Sequence, residues 1–395
     1  MDAEKSRTLY VALQSTGIVE LSFQPNVQDA GQALSVISTF SDAGKMPGWL
    51  ASHQDKIYSI SRLHYPDESF ESGGLFAFRQ SATSSSSEPG KGLSLINEQR
   101  STGKGGVHID ISPDGRVLAA ANISGSTVSL FPLSEDGATG EPTFTVSYDG
   151  EGPSVNDGKG LANPHEARFD STGKFLFVPL RSADKLDVYS VNGLDSLTKV
   201  QSFELPPKTG PRHSAIQKID STTSYLYLLS EKDNTIRVFN LNYSLSEPLD
   251  KTTLTINLKQ TIPLSKTQPN PHQRFLGAEV AVSDDGKFLY ASNRFYPVAD
   301  FDSDTLSIYR IDTSSKENHL TPIGSSKVLG HSPRMFALSN DAGNQFVAVA
   351  NAYEQEIIVF DRDAESGFLK EVRGRVKLGE DDVTLRKGPV CVLWT

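Results

Sequence analysis

An all-β chain folded as a seven-bladed β-propeller is predicted by three observations. A strand–turn–strand unit recurs along the whole length, its copies are spaced like propeller blades, and each chain end carries only part of a unit. The clearest copy runs from Ser332 to Asn351 and reads SPRMFALSNDAGNQFVAVAN. Related stretches are Met46 to Ser61, Gly105 to Asn122, Asn163 to Leu180, Gly210 to Leu229 and Leu276 to Asn293, with a half copy from Gly388 to Trp394.

Each copy opens on a turn whose anchor is Pro47, Gly106, Pro164, Pro211, Gly277, Pro333 or Pro389, and successive anchors lie about 47 to 66 residues apart. A period near this length, built from strands and turns, marks the blades of a propeller. After each anchor comes a short alternating run, the first strand. A turn such as Pro113-Asp-Gly115, Ser171-Thr-Gly173 or Asp284-Asp-Gly286 then leads into a β-branched and aromatic second strand. Third strands follow at Thr127 to Phe131, Leu186 to Tyr189, Thr235 to Phe239, Leu306 to Tyr309 and Ile357 to Phe360.

The ends complete the count. Thr8 to Leu13 and Gly17 to Phe23 read as second and third strands with no first strand before them, whereas Gly388 to Trp394 is a first strand with nothing after it. Pairing the N-terminal strands with the C-terminal strand makes the seventh blade, closes the ring and removes its open edges. Residues 1–395 are therefore expected to form one domain. Three stretches break the period: Ser81 to Gly90, expected as a surface loop; Tyr148 to Gly160, expected over the channel mouth; and Ser244 to Arg274, expected to lengthen one blade edge or form a second lid.

A formal charge of -10 over 395 residues argues against a nucleic-acid partner, which calls for a basic face. The single cysteine, Cys391, excludes an internal disulfide and a cysteine zinc cluster. Met1 to Thr8 has no apolar run behind its charges, and no segment approaches the length of a membrane helix, so a cytoplasmic protein with no membrane partner is expected.

In a propeller the first strand begins, and the second ends, on one face, so residues at those positions ring one mouth of the channel. The residue after each anchor is Gly48, Val107, His165, Arg212, Ala278, Arg334 or Val390; the second strands end on Gln14, Arg62, Ile123, Arg181, Glu231, Arg294 and Ala352. Five arginines gathered in an acidic chain would repel one another, and an anionic ligand is the economical explanation, since arginine captures carboxylate or phosphate through two parallel hydrogen bonds. The blander alternatives are a solvated loop position for Arg62 and Arg181, a structural histidine between blades for His165, and a salt-bridge role for Glu231 with Arg212 or Arg294. His108 and Glu279 come one residue later and are expected to point between blades.

Other chemistries lack their residues. The sequence has no Gly-x-Ser-x-Gly elbow and no His-x-x-x-His pair. Asp300 to Asp304 resembles the start of a calcium loop but lacks its glycine and terminal glutamate, and is expected to be a solvated acidic turn. Neither a metal nor a cofactor is expected.

The segments Asn163-Pro-His-Glu166, Gly210-Pro-Arg-His213, Tyr225 to Glu231, Val282 to Arg294 and Ser332 to Phe336 resemble those of the seven-bladed propeller lactonases, in register over nearly the whole chain. That family includes propeller-type 6-phosphogluconolactonase and the fungal carboxy-cis,cis-muconate cyclase. The resemblance implies an active-site histidine at His165, arginines at Arg212 and Arg294, and a glutamate at Glu231. Arg334 and Arg62 are further matches to the phosphogluconolactonase branch, while Arg181 rests on the ring alone. It also implies metal-independent chemistry on a small anionic lactone or carboxylate, with His165 or Glu231 moving the proton. Hydrolysis is expected ahead of cycloisomerisation; a non-enzymatic propeller binding a partner through the same mouth is the rival class.

Overall fold

A computed structural model describes residues 5–81, 92–148, 160–244, 252–264, 274–296 and 302–395. Seven four-stranded antiparallel sheets follow one another around a ring. Blade 1 joins the two ends of the chain: Pro389–Trp394 is innermost, followed by Arg7–Leu13, Gly17–Phe23 and Leu34–Phe40. Leu9 pairs with Trp394 and Leu13 with Pro389, which is the closure expected from the sequence.

The two inner strands of the remaining blades are Lys45–His53 and Lys56–Leu63 in blade 2, Gly106–Ile111 and Val117–Asn122 in blade 3, and Arg168–Phe169 and Phe175–Leu180 in blade 4. They are Pro211–Lys218 and Thr223–Ser230 in blade 5, Arg274–Val282 and Phe288–Tyr296 in blade 6, and Pro333–Leu338 and Phe346–Asn351 in blade 7. The turn between them repeats one device. The side chains of Ser112, Asp170, Ser283 and Ser339 each accept the first backbone N–H of the second strand, at 3.0 Å from Val117, Phe175, Phe288 and Phe346. Gly115, Gly173 and Gly286 turn the chain at φ of 73°, 71° and 67°, a region that side chains disfavour.

Neighbouring blades pack face to face through the alternating apolar residues of these strands. Phe288, Tyr290 and Ile308 of blade 6 meet Phe336, Val347, Val349, Ile358 and Phe360 of blade 7, all buried. Each such side chain contributes roughly 1.5–3 kcal/mol of burial, so the ring is held by its blade-to-blade seams.

The inner strands differ from simple alternation in one respect, and it decides where side chains point. In blade 5, Pro211 pairs with Ser230 and His213 with Leu229, leaving Arg212 as an extra residue; in blade 7, Pro333 pairs with Asn351 and Met335 with Ala350, leaving Arg334. The same bulge falls on Gly48, Val107 and Val390, and blade 6 crowds Ala278 and Glu279 into the space of one residue. Bulges re-aim side chains. In blade 4 the irregularity is longer: only the bridge from Pro164 to Leu180 and the pair at Arg168 and Phe169 remain, with Asn163 at φ 56°.

Of the three stretches outside the period, Thr253–Pro263 is the outermost strand of blade 5, as expected for a lengthened edge. The expectations for 82–90 and 149–159, and for the 300–301 part of the acidic turn, lie outside the described residues; at the end of that turn Asp304 is not solvated as expected but buried, accepting from Phe295 N at 2.8 Å and Ser332 N at 2.6 Å. Among the described residues the helix Ala30–Ala33 is four residues long, and none is long and apolar enough to cross a membrane.

Candidate active site

Every charged position read from the two rings meets in one cavity. Arg62, His165, Arg181, Arg212, Glu231, Arg294 and Arg334, with Val107 and Ile123, line a space of about 180 Å³ at the channel mouth. At roughly 30 Å³ per water molecule, that is room for a small ring compound and not for a polymer. A larger groove of about 860 Å³ lies beside Tyr65 and Glu68, but no arginine lines it.

The bulges explain the convergence. Arg212 and Arg334 are the extra residues of their strands, released from pairing and directed at the channel. The remaining ring positions contribute no charge. At Gly48 a side chain is excluded, because a Cβ there would stand 2.2 Å from the Gly106 carbonyl oxygen.

Glu231 is the hub. Its Oε1 accepts from Arg294 Nη2 at 2.8 Å, its Oε2 accepts from Arg181 Nε, and Arg212 Nε stands 4.0 Å from Oε2. Burial alone would raise this carboxyl, but Arg294, Arg181 and Arg212 outweigh it and hold Glu231 well below the usual carboxylate range. Arg294 is further fixed by donating from Nη2 to Gly277 O at 2.9 Å and from Nε to Leu276 O at 3.3 Å. Arg212 Nη1 donates to Ala278 O.

The other arginines are left wanting. The Nε groups of Arg62 and Arg212 are buried without an acceptor among the described residues. Burial pushes Arg62 down to about 10 and, with repulsion from Arg294, Arg212 down to about 9; burial and the charges of Arg62, Arg294 and Arg212 depress Arg334 strongly. Guanidinium stays protonated at neutral pH, so this repulsion is stored as affinity for an anion.

His165 is buried, and burial followed by the positive charge of Arg212 holds it neutral, well below its ordinary value. Its Nδ1 stands 3.0 Å from His213 Nε2, and His213 Nδ1 stands 2.8 Å from Glu279 Oε2.

His108 and Glu279 point between blades as expected, Glu279 to His213 of the neighbouring blade and His108 Nδ1 to Ala167 N of the next blade at 3.5 Å, and they reach further than that. The His108 ring lies 5.6 Å from that of His213, two blades away, and Trp49 of blade 2 lies 5.0 Å from His213. Trp49, His108, His213 and Glu279, close to the bulges of their strands, thus meet across the channel. The sequence reading missed His213 and Trp49, although the same column of the repeats carries Trp49, His108, Glu166, His213 and Glu279 in consecutive blades. Among the described residues no group of three or more His, Cys, Asp or Glu side chains is placed to hold a metal ion.

The chain is similar to 6-phosphogluconolactonase of Formosa agariphila, 29% identical over 285 residues that cover 71% of this chain and 73% of the relative. It is 24% identical to 6-phosphogluconolactonase of Bacillus subtilis, over 97% of both chains. Among solved structures, the Pseudomonas aeruginosa periplasmic gluconolactonase shares its fold, with a TM-score of 0.77 at 22% identity and 99% of each chain covered. The family model described as lactonase, 7-bladed beta-propeller, matches residues 8–394, and the chain belongs to that seven-bladed propeller lactonase family.

Proposed function

We propose that the chain is a metal-independent lactonase of the cytoplasm that hydrolyses an anionic sugar-acid lactone, of which 6-phosphogluconolactone is the foremost candidate. One observation carries the reading: five guanidiniums face a single carboxylate around a cavity the size of one small ring. A neutral ligand would leave that repulsion in place, whereas a phosphate dianion offsets it.

Arg62 and Arg334, which have no ion pair with the described residues, hold the anionic end, and Arg181 flanks it while tied to Glu231. Arg212 and Arg294 converge on the lactone carbonyl and stabilise the oxyanion; one such preorganised donor is worth roughly 2.7–4 kcal/mol. His165 takes a proton from water as the water oxygen bonds to the carbonyl carbon. The ring C–O bond then breaks, and the proton passes to the departing ring oxygen, giving the open hydroxy acid. Glu231, held ionised by three arginines, is a poor base; its role is to fix the arginines in place. Offsetting of the arginine charge by bound substrate favours the imidazolium just when it must form.

An indicator assay across 6-phosphogluconolactone, unphosphorylated gluconolactone and carboxymuconolactone tests the reading. Hydrolysis of the phosphorylated lactone, reduced about 10²–10⁴-fold by His165→Gln, is expected. Turnover of carboxymuconolactone alone would transfer the site to the cycloisomerase, and inertness toward all three would leave a binding module.

A further inference from the structure

Beneath the cavity a carboxylate–histidine–histidine line runs from Glu279 through His213 to His165. We propose that Glu279 and His213 act as buried positioning residues that lock His165 in the tautomer protonated on Nδ1, leaving Nε2 as an open proton acceptor in the cavity. This deepens the lactonase reading and rests on it only for the use made of the proton.

Glu279 Oε1 accepts from Val280 N at 3.2 Å; burial raises this carboxyl to about 7 against the opposing pull of Arg212 and Arg168, so above that pH it is ionised and Oε2 is available as an acceptor. His213 Nδ1, 2.8 Å away, must then carry the hydrogen. A neutral imidazole with a protonated Nδ1 has a lone pair on Nε2. That nitrogen lies 3.0 Å from His165 Nδ1, which must therefore be the donor. Nε2 of His165 is left with no partner among the described residues, on a side chain that lines the cavity.

The surroundings hold this order. Both histidines are kept neutral, first by burial and next by Arg212; Arg181 and Arg334 add to this at His165, and Arg168 and Arg294 at His213, while Glu231 works the other way there. Arg212 Nη1 donates to Ala278 O and stands 3.3 Å from His213 Nδ1, longer than the 2.8 Å from Nδ1 to the Glu279 carboxylate, so the ionised carboxylate accepts the Nδ1 hydrogen bond and Arg212 faces it donor to donor. The Trp49 ring, edge-on at 5.0 Å, and the His108 ring at 5.6 Å restrict rotation of His213. When Nε2 takes the proton from water, the positive charge on His165 is stabilised through His213 by the Glu279 carboxylate, with the hydrogen on His213 Nδ1 staying in place.

The reverse order exists only if Glu279 is protonated: it would donate to His213 Nδ1, His213 Nε2 would donate to His165 Nδ1, and His165 Nε2 would bear the hydrogen. Burial raises Glu279 to about 7. The acceptor form of His165 therefore gains population, and kcat rises, as pH rises through that value.

Nitrogen-15 NMR of the full chain labelled at histidine decides the point without a variant. At pH 8, His165 is expected to show a protonated Nδ1 and an unprotonated Nε2; the opposite pattern overturns the proposal. His213→Phe, which keeps a ring against Trp49, is expected to give His165 as a tautomer mixture and to lower kcat about 10- to 100-fold with KM within twofold. Unchanged kcat and tautomer in that variant would also overturn it. Should His213→Phe fail to fold by circular dichroism, Glu279→Gln takes its place, with the same kcat loss at constant KM expected and wild-type kcat fatal to the proposal. If no lactone is turned over but His165 shows the stated tautomer, the relay stands and the lactonase reading falls; turnover with the opposite tautomer has the reverse meaning.

Discussion

Glu231 and Arg294 are 63 residues apart in the chain, on adjacent blades, and meet through a 2.8 Å bond from Nη2 to Oε1. The same arginine is braced by two backbone carbonyls, so its plane is set before any ligand arrives. A donor fixed in this way loses no orientational freedom when charge develops on the lactone carbonyl. Arg294→Met is expected to lower kcat by about 10²–10³ while the far-ultraviolet circular dichroism spectrum stays that of a propeller. Full activity in this variant would remove Arg294 from the mechanism.

Arg62 and Arg334 have a different task, holding the anionic end of the substrate. Replacing either with Gln is expected to raise KM for the phosphorylated lactone about 10- to 100-fold, the loss of a charged hydrogen bond worth roughly 1.5–3 kcal/mol, with little change in kcat. Activity on the unphosphorylated lactone should change far less. Steady-state kinetics on the two substrates give the ratio directly, and a ratio unchanged by both substitutions would place the phosphate elsewhere.

Inorganic phosphate should stabilise the free protein. A ligand bound only by the folded state adds about 2.7 kcal/mol at a hundredfold excess over its Kd, which is read as a rise in Tm. The Arg62→Gln, Arg334→Gln double variant should lose that rise, and sodium chloride at equal ionic strength should not reproduce it.

The pH dependence of stability separates Glu231 from its surroundings. Its folded-state acidity is strengthened, so its contribution is fully present above the unfolded value near 4.3 and is lost as pH falls from there toward its depressed folded value. Glu231→Gln should therefore be less stable than the wild type at neutral pH, by about 3 kcal/mol for a broken buried pair. The gap should narrow below about pH 4. Denaturant titrations at pH 7 and pH 3.5 measure both ends; a gap that widens in acid would contradict the clamp.

Chelation supplies a last check. With no cluster of metal-ligating side chains among the described residues, EDTA treatment is expected to leave kcat/KM unchanged within about twofold. Loss of activity restored by calcium would show that a cation shares the anion-binding work of the arginines.

The repeated unit made most of this legible beforehand. Turn residues such as Gly115 and Gly286 and the half units at the two ends specify seven blades and their closure, because strand periodicity and turn chemistry are local properties. The cavity residues were legible for a related reason: in an aligned repeat, positions that change from core-like to charged mark a surface with its own duty, as His165, Arg212 and Arg334 do. What the alternation could not show was the bulge. One extra residue in the inner strand turns Arg212 toward the mouth and also brings His213 into the channel, where a strict period of two would have sent it to the opposite face. The order of protons along Glu279, His213 and His165 depends on distances between three blades, which no local pattern contains.

The seam of blade 1 has a consequence for robustness. Any ring made from a linear chain has one place where it is held shut by hydrogen bonds and packing alone, here the ladder from Leu9 and Trp394 to Leu13 and Pro389. That blade supplies no side chain to the cavity, whose lining comes from blades 2 to 7. Any opening of this non-covalent closure would fall in a sector without reactive groups, away from the side chains that line the cavity.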